Sequence, residues 1–203
     1  MTNFKLVPFR PNPLTNSLEG EFSSVFNAQK DLYEIQLIFV LTGSLKKIAW
    51  PTNQHNPLSS KHKISKDIPL RKDELWRSTC FECFLSYDEL PQYFEFNFSP
   101  DGYWQSYQFS NYRGDRQLTT NLILSKSEID YKINQTRITV NLEYVVPQFV
   151  TKTLSKKSLS LGLSVILQDL NDQQHYFSLE HNSEIKPDFH DPKSHLFKIN
   201  CFS

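Results

Sequence analysis

The stretch Tyr93 to Ser99, YFEFNFS, constrains this chain more than any other. Phe94, Phe96 and Phe98 alternate with Tyr93, Glu95, Asn97 and Ser99, so an extended backbone carries one aromatic face and one polar face. A helix would scatter the same rings around its axis. The segment before it alternates in phase: Phe81, Cys83 and Leu85 fall on the phenylalanine side, and Cys80, Glu82 and Phe84 on the other. Between the two runs lie Tyr87, Asp88, Glu89 and Pro91, a turn composition that predicts an antiparallel hairpin. Ser99-Pro100-Asp101-Gly102 then presets φ at proline and allows positive φ at glycine, which predicts a second reversal into a strand from Tyr103 to Phe109.

Symmetric pairing about the first turn sets Glu82 opposite Glu95, and a four-residue second turn sets Asn97 opposite Trp104 on the same polar face. Directly opposed carboxylates repel. Three arrangements accommodate them: a cation such as Arg113 or Arg77 neutralises the pair, the pair holds one proton, or it awaits a ligand. The alternative is a solvated face in a slipped register.

A chain of 203 residues is long enough to bury roughly 70% of its unfolded surface in one core, which predicts one domain spanning 1–203. Tyr33 to Leu41 is the most apolar run and reads as a buried strand; Ile48 to Trp50, Asn121 to Lys126, Tyr131 to Asn134, Arg137 to Val145, His175 to Leu179 and Leu196 to Cys201 read as further strands. Ser158 to Gln168 alternates until Val165 and is then wholly apolar, predicting one half-exposed end and one buried end. Residues 1–20, with prolines at 8, 11 and 13, suggest an extended arm or an edge strand. Residues 51–72 form the longest expected loop, and 114–121 and 150–157 two more. Many short strands with turn signals between them, and no helical pattern of three turns, predict an all-β fold, an antiparallel sandwich or barrel.

Lysine and arginine balance aspartate and glutamate at 22 each, without a run of like charge, so neither nucleic acid nor an anionic membrane is an expected partner. The N-terminal segment lacks the apolar stretch of a secretory signal, and three cysteines read as reduced thiols in a cytoplasmic protein.

Trp76 followed by Thr79-Cys-Phe-Glu82, then Asn97-Phe-Ser-Pro100 with Gly102-Tyr-Trp104, then Pro187-Asp-Phe-His190 before Asp191-Pro192, resemble the free-standing bacterial DOMON-like proteins related to type 9 carbohydrate-binding modules. The resemblance runs from about Tyr33 to the C-terminus. It implies a DOMON-like β-sandwich of immunoglobulin-like or jelly-roll arrangement. It also implies a sugar held between two aromatic rings over polar side chains, with the first ring at Trp76, the acid at Glu82 and the second ring at Phe189 or His190. Both of the last two depart from the tryptophan of type 9 modules, and the calcium-binding acids of those modules have no aligned counterpart here, so no metal is expected.

Pyranose C–H patches lie on aromatic faces and the hydroxyls need charged or amide partners. Trp76, Glu82, Glu95, Asn97, Trp104, Arg113, His181, Phe189 and His190 are therefore the candidate ligand-binding residues. The competing readings are that Trp76 and Trp104 only close the end of the sandwich and that Phe189 turns inward as a core plug.

The pair Cys80 and Cys83 has the CxxC spacing, but on a strand the thiols point to opposite faces, which suits neither a redox pair nor zinc. The methionine at position 1 is the chain's one methionine, so a methionine–histidine haem site is not expected, and no cofactor is. The expected function is binding of a small saccharide-like ligand without catalysis. One alternative is a sugar-processing enzyme in which Glu82 and Glu95 work with His181 and His190 as acid and base; another is a structural or protein-binding sandwich.

Overall fold

Alternating apolar side chains sort the strands into two antiparallel sheets packed face to face, a β-sandwich. The structure is a computed structural model and describes residues 1–51, 61–63, 71–132, 134–153 and 157–201. Across the first sheet the order is β1 (Thr2–Lys5), β3 (Thr15–Asn27), β4 (Leu32–Gly43), β11 (Gln135–Tyr144), β10 (Leu122–Lys132) and β5 (Lys61–Lys63). Across the second it is β2 (Val7–Pro8), β13 (Gln174–Ser178), β12 (Lys157–Gln168), β6 (Cys80–Tyr87), β7 (Tyr93–Phe98), β8 (Trp104–Phe109) and β9 (Arg116–Leu118). A final strand, β14 (Phe197–Cys201), pairs with the first half of β12, while β13 pairs with its second half. The described helices are single 3₁₀ turns and α1 (Gln148–Thr153); none is long and apolar enough to cross a membrane.

The core lies between the sheets. Tyr33, Ile35, Leu37, Phe39 and Leu41 of β4 face Phe81, Cys83 and Leu85 of β6 and Phe94, Phe96 and Phe98 of β7. Phe39 meets Phe81 edge-on at 5.1 Å, Phe94 meets Tyr144 at 5.5 Å, and the Tyr87 and Tyr144 hydroxyls bond at 2.8 Å. The tyrosine pair lets two hydroxyls enter an apolar interior without an unmet bond.

Several expectations shift. The expected arm over 1–20 divides into β1 at an edge of the first sheet, β2 at an edge of the second, and the start of β3. Strand β3 has no counterpart in the sequence reading because Leu18 and Phe22 are its only fully buried side chains, too sparse for a visible period. Ile48 makes an isolated bridge to Asp169 after a 3₁₀ turn in place of a strand, β9 occupies part of the expected loop 114–121, and the expected loop at 150 begins inside α1. Most of the expected long loop 51–72 lies outside the described residues, with β5 within it.

Phe94, Phe96 and Phe98 are all buried between the sheets. Phe96→Ala is expected to lower unfolding stability by about 3–5 kcal/mol, measured by chemical denaturation, since the ring is lost from a close-packed interior that cannot collapse around the gap.

Candidate functional site

Register decides which side chains reach the outer face of the second sheet. Between β6 and β7, Ser86 pairs with Tyr93, so Glu82 faces Asn97 and Phe84 faces Glu95. The expected direct opposition of Glu82 and Glu95 is corrected by a shift of two residues, which keeps both on the outer face as diagonal neighbours. Between β7 and β8 the shift is one residue. Ser99 N–H bonds to the Tyr103 carbonyl and Gly102 N–H to the Ser99 carbonyl, leaving a three-residue loop whose Gly102 has φ +93°. Asn97 therefore faces Gln105, and Trp104 moves to the inner face, where it stacks on Phe96 at 5.8 Å. Trp104 is a core residue, contrary to the expectation, because a slip of one flips every side chain of the strand.

An outer face would ordinarily be wet, yet every residue of β6 and β7 is buried. The cover is the segment from Leu179 to Leu196, which leaves the end of β13, crosses the outer face and returns as β14 to the same strand, β12. His195 fastens it. Its Nε2–H donates to the Phe189 carbonyl at 3.2 Å, so Nδ1 accepts from the Ser86 hydroxyl at 2.8 Å, and the ring stacks on Phe84. A Cβ on Gly162 would stand 2.3 Å from His195 Cδ2, so glycine there is what admits the ring. Farther along, Asp188 accepts from Arg113 Nη2 at 2.8 Å and from the Tyr112 hydroxyl. Phe189 joins Phe84, Tyr93, Tyr107, Phe109 and Ile166 in an outer apolar cluster, with Trp76 and Tyr176 against it.

Between this cover and the sheet lies an open cavity of about 610 Å³. Glu82 and Glu95 line its floor, Trp76 and Arg116 one wall, Phe189, His190, Pro187 and Lys186 another, with Phe109, Arg113, Ile166 and Tyr176 completing it. Trp76 is half-buried. The Arg116 guanidinium lies 4.8 Å from the Trp76 ring and 4.6 Å from that of Tyr107, whose hydroxyl donates to Asp73.

Of the residues expected from sequence, Trp76, Glu82, Glu95, Arg113, Phe189 and His190 come together around this cavity. Asn97 lies fully buried beneath it, its Nδ2 donating to Glu95 Oε1 at 2.7 Å. His181 stands apart from the lining, behind Phe189, bonded through Nε2 to the Val7 carbonyl at 2.9 Å. Phe189 packs on the outer face and not between the sheets. Arg116, Ile166, Tyr176 and Lys186 had no place in the sequence reading. Ile166 alone left a signal, as the residue that breaks the alternation of β12 because both faces are covered there. Cys80 and Cys83 are free, buried thiols, and Cys83 belongs to the inter-sheet core.

Burial raises the pKa of Glu82, and the charge of Glu95 adds to it, opposed by the Ser164 hydroxyl that donates to Glu82 Oε2 at 2.6 Å. Burial also raises Glu95, opposed by the Asn97 bond and by the fields of Arg116 and Arg113. Nearby, Arg113 N–H donates to the Tyr93 oxygen at 3.4 Å, and the Tyr93 hydroxyl and His190 Nδ1 share a hydrogen bond at 2.8 Å. His190 Nε2 is 3.9 Å from Glu95 Oε2. Burial pushes His190 down to about 4, so the ring is neutral near pH 7.

No protein-family model matches this sequence, and neither does any curated protein sequence. Among solved structures, a candidate carbohydrate-binding protein of Bacteroides uniformis aligns over 86% of this chain and 84% of its own, at 14% identity and a TM-score of 0.49. A family 9 carbohydrate-binding module of Caldicellulosiruptor kristjanssonii, in complex with cellotriose, aligns over 88% of this chain and 74% of its own, at 8% identity and a TM-score of 0.40.

Because the acids of the floor are raised from 4.5, the folded chain keeps protons that the unfolded chain releases, and their contribution to stability falls as pH rises. His190 and His195, lowered from 6.5 to about 4, run the other way and contribute fully only above pH 6.5. The two effects oppose each other below pH 6.5, and above it only the acids act. The thermal midpoint is expected to fall as pH is raised beyond 6.5, and Glu82→Gln is expected to flatten that fall. A flat wild-type profile would mean that the pair ionises as freely in the folded chain as in the unfolded one.

Proposed function

We propose that the cavity on the outer face of the second sheet binds a small polyhydroxylated ligand, a saccharide or a derivative of one, without chemistry of its own. The observation that carries this reading is the composition of the cavity: aromatic walls at Trp76, Phe109, Tyr176 and Phe189 stand over a floor of two carboxyl groups, in a volume of about 610 Å³. Small-ligand sites typically occupy about 300–1,000 Å³ with mostly apolar linings and a few convergent polar groups. A pyranose presents apolar C–H patches to such walls, and its hydroxyls need acceptors and donors such as Glu82, Glu95, the His190 ring and Arg113.

The motif resemblance noted above makes the chain DOMON-like and related to type 9 carbohydrate-binding modules on this reading, with Trp76 as one ring of the clamp and Phe189 with His190 as the other. The reduced-thiol reading of the cysteines favours a cytoplasmic protein, and a soluble sugar or sugar derivative as its ligand rather than a polysaccharide. Catalysis is the less supported reading. Of the groups the enzymatic alternative uses, Glu82, Glu95 and His190 line the cavity, while His181 bonds to the Val7 carbonyl outside it.

Isothermal titration and thermal shift with a panel of mono- and disaccharides test the proposal. A binding saccharide is expected to raise the thermal midpoint, by an amount equivalent to about 2.7 kcal/mol at 100 times its Kd. Trp76→Ala is expected to weaken binding by about tenfold or more, as loss of an aromatic anchor does, while the sugar is recovered unchanged after long incubation. Failure of every saccharide to shift the wild-type protein would overturn the proposal, and turnover abolished by Glu82→Gln would replace it with the enzymatic reading.

A further inference from the structure

The floor of the cavity is chemically lopsided. Glu82 and Glu95 are each 4% exposed, and among the described residues each carboxyl group accepts from one donor, the Ser164 hydroxyl at 2.6 Å and Asn97 Nδ2 at 2.7 Å. No described lysine or arginine pairs with either acid. Arg113 is committed to Asp188 at 2.8 Å, and Arg116 lies 3.8 Å from Asp73 with its guanidinium over Trp76 and Tyr107. These cations act on Glu95 through their field, without contact. Lys186 lines a wall of the same cavity, and His190, on that wall with Nε2 3.9 Å from Glu95 Oε2, is held neutral by burial.

A second feature points the same way. Asn97 is fully buried, faces Glu82 across the ladder, and is bonded to Glu95 through Nδ2, so its amide lies at the acid pair. Its Oδ1 is buried and has no hydrogen-bond partner among the described residues. An acceptor left unmet inside a protein carries a desolvation penalty of about 1–3 kcal/mol, and native interiors rarely leave one without a reason. Two carboxyl groups without a contacting lysine or arginine among the described residues therefore form the floor of an aromatic-walled cavity, above an amide oxygen without a donor.

We propose that the ligand of this cavity is an amino sugar, whose ammonium group docks between Glu82 and Glu95, above the buried Asn97 amide. The inference rests on the saccharide reading of the same cavity and specifies the ligand class. An ammonium has three N–H donors and no acceptor; once the pair ionises, it offers the carboxylate oxygens that Ser164 and Asn97 leave free, with the Asn97 amide oxygen adding its dipole from beneath. Buried carboxylates gain most from a cation that arrives already hydrogen-bonded to both, because the attraction is large where water is excluded. A neutral sugar hydroxyl brings no charge and leaves the pair protonated. An acetylated amine offers one donor, no charge, and an added methyl group.

The test compares glucosamine, N-acetylglucosamine and glucose on the full chain by isothermal titration. At about pH 6 the amine is protonated, given an ordinary amine pKa near 8. Glucosamine is expected to bind about tenfold or more tightly than the other two, a difference of about 1.4 kcal/mol or more. Its docking should release protons from the acid pair, seen as a dependence of the measured heat on the buffer's ionisation enthalpy, and glucose should release fewer. Glu82→Gln and Glu95→Gln should each reduce the preference for glucosamine over glucose. Glucose or N-acetylglucosamine binding as tightly as glucosamine, without differential proton release, overturns the inference and leaves the saccharide reading standing. If none of the three sugars binds, but another saccharide does, the amine assignment alone falls; if no saccharide binds at all, both readings fall together.

Discussion

A sandwich sheet ordinarily has a dry face and a wet one, and here the central strands have two dry faces. Everything about the cavity depends on that constraint. Strand β6 and strand β7 put phenylalanines into the core, and their alternate residues, which water would normally solvate, lie under the segment from Leu179 to Leu196. Covering a face that carries Glu82, Glu95 and Asn97 transfers polar groups into a low-dielectric setting, which is unfavourable unless each finds a partner. Ser164 and Asn97 supply part of that partnership, and the raised pKa of both acids is the physical trace of what they do not supply.

The cover is held by interactions of several kinds, distributed along its length. His195 uses both ring nitrogens and one ring face, Asp188 ties the middle to Arg113 and Tyr112, and Phe189 contributes apolar area to the outer cluster. Arg113 reaches its partners from a left-handed backbone conformation, φ +50°, that is unfavourable for a side chain with a Cβ. Such a conformation persists where surrounding contacts hold it, and both its backbone N–H and its guanidinium are engaged at the site.

The fold was legible in the sequence to the degree that side chains repeat with period two. Strands β6, β7, β11 and β12 announce themselves that way and β4 by its continuous apolar run, while β3 and β9 are polar enough to hide. Site residues on strands were legible as faces but not as partners. Glu82 and Glu95 were assigned to one face whatever the register, since an even slip preserves it, whereas the odd slip after Asn97 carried Trp104 inside. That slip came from whether Ser99 belongs to the loop or to the ladder, a difference of two hydrogen bonds that composition does not encode. Arg116, Tyr176 and Lys186 arrive from other elements, by tertiary packing that leaves no local pattern.

Both ends of the covering segment are attached to one strand, β12, along the same edge. A flap hinged at one end swings; a handle fixed at both ends of a single rod does not. Its feet can move apart only if β12 itself stretches, so the arch keeps its span and the height of the cavity is set by the sheet. Beneath the arch, Trp76 and Arg116 stand among the residues that line the cavity. The arrangement is that of a culvert, whose bore is fixed by masonry on both banks and whose contents are sorted by what lines the mouth.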